Sequence, residues 1–210
     1  MSLMLPAQEA ELHPAFLKLA GRQVVIVGGG PVAAAKLKAL RPTGAHLVVV
    51  APSIGPEIEQ AAAKKGGATP NPELRCRPWL PADLDEAWFV VAAATPEVNR
   101  EVTAAAEERR LFVNAVDDPV NATAYAGGVL RRSGVTIAVS TGGHAPALAG
   151  LLREGLEILL PDDLDRWMDE ARRQRRLWKT GDVAMPARRP LLLSALNALY
   201  GPGASQETRP

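Results

Sequence analysis

The chain has 210 residues, of which 47% are hydrophobic and 22% charged, an ordinary composition for a globular protein with a sizeable core. Its 24 lysines and arginines nearly balance its 23 aspartates and glutamates, which excludes a polybasic nucleic-acid binder. The single cysteine, Cys76, excludes a disulfide framework and a cysteine-based metal site. The longest apolar run, Ala87 to Ala94, is too short for a membrane span, so we expect a cytoplasmic protein.

The first half of the chain alternates apolar runs with helical patterns. Residues 23–27 form a β-branched run before three glycines, residues 32–40 carry a helical apolar face, and residues 46–50 repeat the apolar run. Unbroken apolar runs are typical of strands buried on both faces of a parallel sheet. The order of strand, helix and strand over residues 23–50 therefore predicts a βαβ unit. The alternation then predicts a helix over 56–65 ended by Gly66 and Gly67, a weak strand over 74–79, a strand over 88–93, a helix over 97–110 and a strand over 111–114. We therefore expect an α/β fold with a Rossmann-type, doubly wound parallel sheet.

The pattern changes after Asp117. Two apolar segments, 125–132 and 135–140, flank Ser133-Gly134 and predict a hairpin, a small β segment. Helices follow over 146–160, 162–179 and 191–200, before a polar tail that we expect to be disordered. The predicted domains are a nucleotide-binding Rossmann domain over 1–115, the β segment over 116–145 and a C-terminal helical domain over 146–210.

The three consecutive glycines form the clearest binding motif. Gly28, Gly30 and Ala33 fit the pattern G-x-G-x-x-A between a strand and a helix. In this pattern the first glycine makes a tight turn, the second lets the backbone approach a pyrophosphate, and the helix N-terminus offers N–H groups to the anion. The motif predicts dinucleotide binding, with a purely structural βα turn as the alternative.

The end of the second strand lacks the acidic residue that normally binds the ribose of a dinucleotide. Pro52 and Ser53 occupy that place, and no arginine stands there to meet the 2′-phosphate of NADP. The pattern alone therefore does not separate NAD from NADP.

Two further strand ends carry candidates for chemistry. Small residues and Thr95 end the fourth predicted strand, where they either leave room for a ribose or nicotinamide or pack under a helix. Asp117 follows the fifth predicted strand at the edge where such sheets bind ligands, and it is a candidate general base. A capping or turn role is equally compatible with its position, whereas Asp118 is typical of a turn.

Two segments in the second half suit an anionic ligand. Residues 140–146 join a strand to a helix through hydroxyls, glycines and His144, with an ordinary exposed loop as the alternative. The stretch from Arg166 to Lys179 holds six basic and two acidic residues, which is either a solvated helix face or a surface for a polyanionic substrate. No grouping of metal-ligand residues stands out, so no protein metal site is predicted.

Together, ten motifs in the same order resemble the siroheme-synthase family. The resemblance covers roughly residues 12 to 160. One difference is that relatives often carry Arg-Lys where this chain has Ala35-Lys36, and we expect this difference to matter little. The motifs are Val25–Ala33, Gly44-Ala45, Val49–Pro52, Asp83-Leu84, Ala93–Thr95, Val98-Asn99, Asn114–Asp117, Ser140–Gly143, Pro146–Ala149 and Leu152–Glu154.

The resemblance implies a precorrin-2 dehydrogenase, which oxidises this tetrapyrrole to sirohydrochlorin with NAD. Many family members are also ferrochelatases that insert Fe²⁺ to give siroheme, and the resemblance implies a homodimer in which the β segment pairs between subunits. By matching position, Asp117 is the catalytic residue. The residues expected to hold NAD are Gly28, Gly30, Pro31, Val32, Pro52, Ser53 and Thr95, and those expected at the substrate are Thr141, Gly142 and, with its role open, His144.

Two alternatives to the bifunctional enzyme stay open. The protein is either a dehydrogenase without chelatase activity or a non-catalytic, NAD-sensing Rossmann domain. Such sensors commonly keep an acid at the end of the second strand, which this chain lacks. The sequence also leaves open whether the chelated metal is Fe²⁺ or Co²⁺.

Overall fold

The computed structural model describes residues 11–64 and 69–201. Their contacts group the chain into two compact units. One comprises the described part of Met1–Ala126 together with Ser140–Ala145, and the other comprises Gly127–Val139 and the described part of Pro146–Pro210. The three predicted domains, 1–115, 116–145 and 146–210, stay a prediction.

A five-stranded sheet, in which every neighbouring pair is parallel, forms the centre of the first unit. Its order is β3-β2-β1-β4-β5, so the direction of winding reverses between β1 and β4. This confirms the predicted doubly wound sheet. The strands are β1 Gln23–Val27, β2 His46–Ala51, β3 Glu73–Cys76, β4 Ala87–Ala92 and β5 Phe112–Ala115.

Both faces of the central strands are buried, which explains why their sequences are continuously apolar. One face packs Ile26, Val49 and Val91 against Ala33 and Leu37 of the first helix. The opposite face packs the alternate strand residues with Val102 and Ala106 of the third helix. The helices of this unit are α1 Pro31–Leu40, α2 Pro56–Ala63 and α3 Pro96–Glu108.

The second unit contains an antiparallel hairpin and three helices. The hairpin pairs Leu130 with Ile137, which confirms the predicted turn at Ser133-Gly134. Among the described residues no helix is both long enough and apolar enough to cross a membrane. The elements are β6 Gly128–Arg132, β7 Val135–Val139, α4 Pro146–Leu159, α5 Leu164–Thr180 and α6 Met185–Ala198.

Three predicted boundaries differ from the structure by three residues or more. Strand β3 ends at Cys76 rather than Trp79. The Arg77 side chain donates hydrogen bonds to the Asp83 carboxylate, and Pro78 has no N–H with which to continue the hydrogen bonding between strands. Strand β6 begins at Gly128 rather than Tyr125, since the preceding segment bonds to β5 instead. Helix α6 begins at Met185, six residues before the predicted start, and accommodates Pro190 within it.

Two predictions concern residues that the structure does not describe. The glycines predicted to end the helix over 56–65, Gly66 and Gly67, lie outside the described residues, and α2 is described to Ala63. The predicted polar tail lies largely over 202–210, which is also outside them.

Candidate functional site

The loops that follow β1, β2, β4 and β5 lie at one edge of the parallel sheet, which we call the carboxyl edge. Backbone hydrogen bonds continue past the strands and hold these loops side by side. The Gly28 N–H donates to the Val50 carbonyl at 2.9 Å, and the Ala93 N–H donates to the Val27 carbonyl at 2.8 Å. The carboxyl edge is where open α/β sheets bind their ligands, so it is the candidate site.

Gly28 and Gly29 are required by the fold itself. Gly28 has a φ of 131°, and a Cβ there would lie 2.2 Å from the Ala93 carbonyl oxygen. A Cβ on Gly29 would lie only 1.9 Å from the Ser53 carbonyl oxygen. The Gly55 N–H also donates to the Gly29 carbonyl at 2.8 Å, which fastens the loop after β2 to the loop after β1. The first two glycines therefore serve close backbone packing.

Gly30 differs because its free side faces open space. It has extended geometry, with φ −87° and ψ −173°, and a Cβ would meet no atom within 4 Å. It is the N-cap of α1 and provides no side-chain cap, so the first-turn N–H groups of Val32 and Ala33 have no intrahelical acceptor. The loop thus offers an open backbone and free N–H groups, which fits a pyrophosphate.

The other residues predicted to hold NAD border the same edge. Pro31 and Val32 begin α1 and are exposed, and Val32 is 43% exposed despite its apolar side chain. Pro52 and Ser53 follow β2 and are exposed. In the first unit, the structure therefore gathers along one edge the seven residues that the sequence assigned to the cofactor.

Thr95 begins α3, and its hydroxyl accepts the Val98 N–H at 3.5 Å as the helix N-cap. The loop before Thr95 is fixed by the buried side chain of Asn99, which is 4% exposed. The Asn99 side-chain oxygen accepts the Ala94 N–H at 2.9 Å. Asn99 is thus a positioning residue for the loop after β4, although the sequence suggested no such role.

The two consecutive aspartates after β5 have different environments. Asp118 caps a turn, with its carboxylate accepting the Asn121 side-chain N–H at 2.6 Å and the Asn121 backbone N–H at 3.3 Å. Asp117 is exposed and has a left-handed φ of 57°, a conformation that few residues other than asparagine, aspartate and glycine adopt. Asp118 is therefore engaged in a turn, whereas Asp117 is the exposed aspartate that directly follows β5.

A segment running back along β5 fixes the base of this loop. The Val113 N–H donates to the Thr123 hydroxyl at 2.8 Å, and the Asn114 side-chain N–H donates to the Ala124 carbonyl at 3.0 Å. Asn114 is 6% exposed, and its side-chain oxygen has no hydrogen-bond partner among the described residues. A buried acceptor without a donor is uncommon and calls for a physical reason.

Lys36 on α1 is half-buried and interacts electrostatically with Asp117. Burial of the ammonium lowers the pKa of Lys36, and the attraction of the Asp117 carboxylate partly opposes this effect. The expectation that the difference from relatives at Ala35 matters little is a separate one and stays a prediction.

The Thr141 to His144 loop belongs to the same unit as the sheet. The Thr141 hydroxyl accepts the Ala145 N–H at 3.1 Å, which leaves its own proton available to a ligand. The loop rests on the segment after Asp117, because a Cβ at Gly143 would lie 3.0 Å from Pro119. Gly142 has a φ of 63°, and His144 is exposed and donates its backbone N–H to the Thr141 carbonyl.

An ionic cluster at the end of β3 stabilises that edge strand. Asp83 is 3% exposed and accepts bonds from Arg75 at 2.7 Å and from Arg77 at 2.5 and 2.8 Å. The Leu80 N–H donates to the same carboxylate at 2.8 Å. The bonds from Arg77, with those from Leu80 and Arg75, lower the pKa of Asp83 to about 2. Both arginines therefore serve to stabilise the fold.

The basic stretch of α5 is partly neutralised within its own helix. Arg172 pairs with Asp169 at 3.1 Å, and Arg173 pairs with Glu170 at 2.7 Å. Both arginine side chains are more than half exposed, as expected for a solvated helix face. Among the described residues no group of three or more His, Cys, Asp or Glu is placed to hold a metal ion.

Comparison with known proteins agrees with this geometry. The sequence model of the family described as "Putative NAD(P)-binding" matches residues 15–128, more than half of the chain. "Siroheme synthase 3" of Aeromonas hydrophila subsp. hydrophila is 41% identical over 152 residues, which are 72% of this chain and 31% of that protein. "Siroheme synthase" of Photorhabdus laumondii subsp. laumondii is 37% identical over 188 residues, 89% of this chain and 39% of that protein.

A solved structure has the same fold. "SirC, precorrin-2 dehydrogenase" superposes with a TM-score of 0.65 at 23% identity, covering 90% of this chain and 92% of that one. The resemblance to the siroheme-synthase family that the motifs indicated is thus confirmed. This chain spans between 31% and 39% of the length of the two siroheme synthases compared.

Proposed function

This chain belongs to the family described as "Putative NAD(P)-binding", and we propose that it oxidises precorrin-2 to sirohydrochlorin with NAD. The observation that carries the proposal is Asp117, an exposed carboxylate that follows β5 at the same edge of the sheet as the open glycine loop after β1. The relatives named siroheme synthase, and the fold shared with a precorrin-2 dehydrogenase, support the choice of substrate.

In this proposal NAD lies along the carboxyl edge. Its pyrophosphate approaches the Gly30 backbone and the free N–H groups at the start of α1, because a side chain is absent there. Pro31, Val32, Pro52 and Ser53 border the nucleotide, and the Gly28 turn keeps the loop in place. Thr95 and the small residues before it border the nicotinamide end, since α3 begins there.

The reaction removes one hydride and one proton from the macrocycle. Bound NAD supplies the hydride acceptor. Asp117 takes the proton, because its carboxylate is exposed directly after β5, whereas the neighbouring Asp118 is occupied by Asn121. Thr141 donates a hydrogen bond to the substrate with the hydroxyl proton that its turn leaves available, and Gly142 and His144 border the macrocycle with it.

Ferrochelation is the second reaction that we propose, and Fe²⁺ is its substrate rather than a resident cofactor. Insertion of a divalent metal releases two pyrrole protons, of which Asp117 accepts one and passes it to the solvent, while the other is released to water. The names of the relatives favour this activity, since siroheme contains the inserted iron. Comparing Fe²⁺ with Co²⁺ in the same assay tests which metal the protein accepts.

We further propose that the protein is a cytoplasmic homodimer. Helix α4 carries several exposed apolar side chains, including Ile158, 83% exposed, and Leu159, 78% exposed. Such residues suit an interface with a second copy of the chain. Sedimentation equilibrium tests this: a dimer mass supports it, and a monomer mass at high protein concentration contradicts it.

The test of the dehydrogenase compares Asp117→Asn with the wild type. The enzyme proposal expects NAD-dependent sirohydrochlorin formation by the wild type, and unchanged NAD binding without turnover in the variant. A non-catalytic NAD sensor would bind NAD without any turnover of precorrin-2, even before substitution. A dehydrogenase without chelatase activity would make sirohydrochlorin and leave added Fe²⁺ uninserted.

A further inference from the structure

Helix α3 carries two buried polar side chains, Asn99 and Thr103, which lie one turn apart on the same face of the helix. Each is 4% exposed. Asn99 fixes the loop after β4 through the Ala94 N–H. A buried hydroxyl requires a hydrogen-bond partner, and the Thr103 hydroxyl donates to the Asn121 carbonyl at 3.2 Å. The same face of α3 is therefore bonded to the segment that follows Asp117 as well.

Asn121 closes the turn that begins directly after Asp117. Its backbone N–H donates to the Asp118 carbonyl and to one Asp118 carboxylate oxygen, each at 3.3 Å. Its side-chain N–H donates to the other carboxylate oxygen at 2.6 Å. A hydrogen bond to a carboxylate is stronger than one between neutral groups, so this contact is the main fastening of the turn. Asn121 thus joins Thr103 of α3 to the residue next to Asp117.

Asp117 lies between two fixed points of the backbone. On one side, the Val116 N–H donates to the Ala92 carbonyl at 2.9 Å and continues the hydrogen bonding between β4 and β5. On the other side, Asp118 is bound to Asn121. The backbone between these points holds Asp117 at a φ of 57°. The direction in which the Asp117 side chain leaves the backbone therefore depends on the turn being held in place.

The same turn supports the loop that carries Thr141. A Cβ at Gly143 would lie 3.0 Å from the Pro119 Cβ and 3.2 Å from the Tyr125 ring. The Tyr125 hydroxyl donates to the Pro119 carbonyl at 3.0 Å, so these two neighbours of Gly143 are bonded to each other. A shift of the turn would consequently move this proposed substrate loop together with Asp117.

We propose that Thr103 and Asn121 are positioning residues, which act through Asp118 to hold the Asp117 carboxylate and the Thr141 loop in a fixed geometry at the substrate. Neither side chain is offered to the substrate itself. Thr103 is buried, and the Asn121 side-chain amide is bound to Asp118. This inference rests on the proposed function in giving Asp117 the role of proton acceptor.

The kinetic test begins with Thr103→Val, which replaces the hydroxyl with a methyl group of similar volume and so removes the donor to Asn121. Misplacing a reacting group by about 1 Å costs on the order of 100-fold in rate, and a partly released turn should cost about 10-fold in kcat for precorrin-2 oxidation. The Kd for NAD should not change, because the Gly30 loop belongs to β1 and α1.

Two matched variants separate the hydrogen bond from packing. Thr103→Ser keeps the hydroxyl and loses only a methyl group, so its kcat should be close to that of the wild type. Thr136→Val makes the same exchange at an exposed threonine of β7 and should have wild-type kcat. A wild-type kcat in Thr103→Val overturns the proposal, as does an equal loss of kcat in Thr103→Ser.

Asn121→Ala tests the same connection from its other end, at a partly exposed position that tolerates truncation even if Thr103→Val does not fold. Residues that act through one shared contact have non-additive effects. The double variant should therefore lose about as much kcat as the more affected single variant. Two losses that multiply in the double variant would show independent damage and would overturn the proposal.

A second measurement needs no turnover. Backbone ¹⁵N relaxation should give Asp117 and Asp118 order parameters of about 0.85 in the wild type and clearly lower values, toward about 0.6, in Thr103→Val and Asn121→Ala. Ala124 is the internal control, because its N–H donates to the Val113 carbonyl at 2.9 Å without involving Thr103. Unchanged order parameters at Asp117 in both variants overturn the proposal, whatever the activity.

The two measurements distinguish a failure of the inference from a failure of the proposed function. A wild-type protein that does not oxidise precorrin-2 refutes the proposed function, and the order parameters then still report whether Thr103 and Asn121 hold the turn. An active wild type whose variants keep both kcat and a rigid Asp117 refutes the inference and leaves the proposed function standing.

Discussion

A methyl group added at Gly30 is expected to weaken NAD binding without harming the fold. Gly30 has φ −87°, which alanine adopts freely, and the added Cβ meets no atom within 4 Å. The free energy of unfolding should therefore stay within about 1 kcal/mol of the wild type, because alanine restricts the unfolded chain but is a poorer helix N-cap than glycine. The methyl group occupies the side from which the pyrophosphate approaches the backbone.

The loss of affinity can be bounded. A hydrogen bond to a charged group contributes about 1.5–3 kcal/mol, so keeping one phosphate oxygen from its N–H group raises the Kd for NAD by about 10- to 100-fold. Titration calorimetry measures this Kd, and thermal unfolding without NAD measures the stability. A Gly30→Ala protein that binds NAD as tightly as the wild type would refute the placement of the pyrophosphate.

Gly29→Ala is the matched control, because its methyl group meets the protein instead of open space. The new Cβ would lie 1.9 Å from the Ser53 carbonyl oxygen, so the loops after β1 and β2 must separate. Overpacking of this kind costs about 1–3 kcal/mol, and each kcal/mol lowers the Tm by about 2–4 °C in a chain of this size. Without NAD, Gly29→Ala should therefore lose more stability than Gly30→Ala.

Three further predictions concern single side chains. Asp117→Asn should abolish precorrin-2 oxidation in a kinetic assay while keeping the fold, since asparagine tolerates a φ of 57°, whereas Asp117→Ala adds a strain of about 1–2 kcal/mol. The pKa of Asp83, about 2 in the folded protein, lies below its ordinary 3.8, so the carboxylate stabilises the fold above pH 4 and this contribution disappears as the pH falls through 2. In urea unfolding, the free energy of unfolding of Asp83→Asn should thus be lower than that of the wild type by about 2 kcal/mol at pH 7 and nearly equal to it at pH 2. The control Asp85→Asn, at an exposed aspartate, should be close to the wild type at both pH values. Asn99→Ala leaves the Ala94 N–H without its acceptor and should lower the free energy of unfolding by about 1–3 kcal/mol in the same assay, which an unchanged midpoint would contradict.

Much of the sheet could be predicted because its strands are buried on both faces. Val24 to Val27 and Leu47 to Val50 are at most 2% exposed, so their sequences carry unbroken apolar runs that no surface strand would need. The position of Asp117 after β5 followed from the same alternation. The end of β3 was harder to predict, because it depends on hydrogen bonds from Arg75 and Arg77 to the buried Asp83 carboxylate, eight and six residues further along the chain.

The supporting residues of the site could not be predicted, because their partners are distant in sequence. Gly29 is constrained by the Ser53 carbonyl, which comes near only when β1 and β2 pair. Lys36 resembled any surface lysine, because its partial burial and its interaction with Asp117, 81 residues further along the chain, arise only in the folded protein. Asn114 lies within an apolar strand, and only the backbone of Ala124 distinguishes its buried amide from a packing residue.

The most direct test of the proposed function is anaerobic incubation of the purified protein with enzymatically made precorrin-2, with and without NAD, followed by absorbance. The proposal predicts that the sirohydrochlorin spectrum appears only when both protein and NAD are present, and that Asp117→Asn does not produce it. An unchanged spectrum relative to the protein-free control, with NAD binding verified by calorimetry, would contradict the proposal and favour a non-catalytic NAD-binding role.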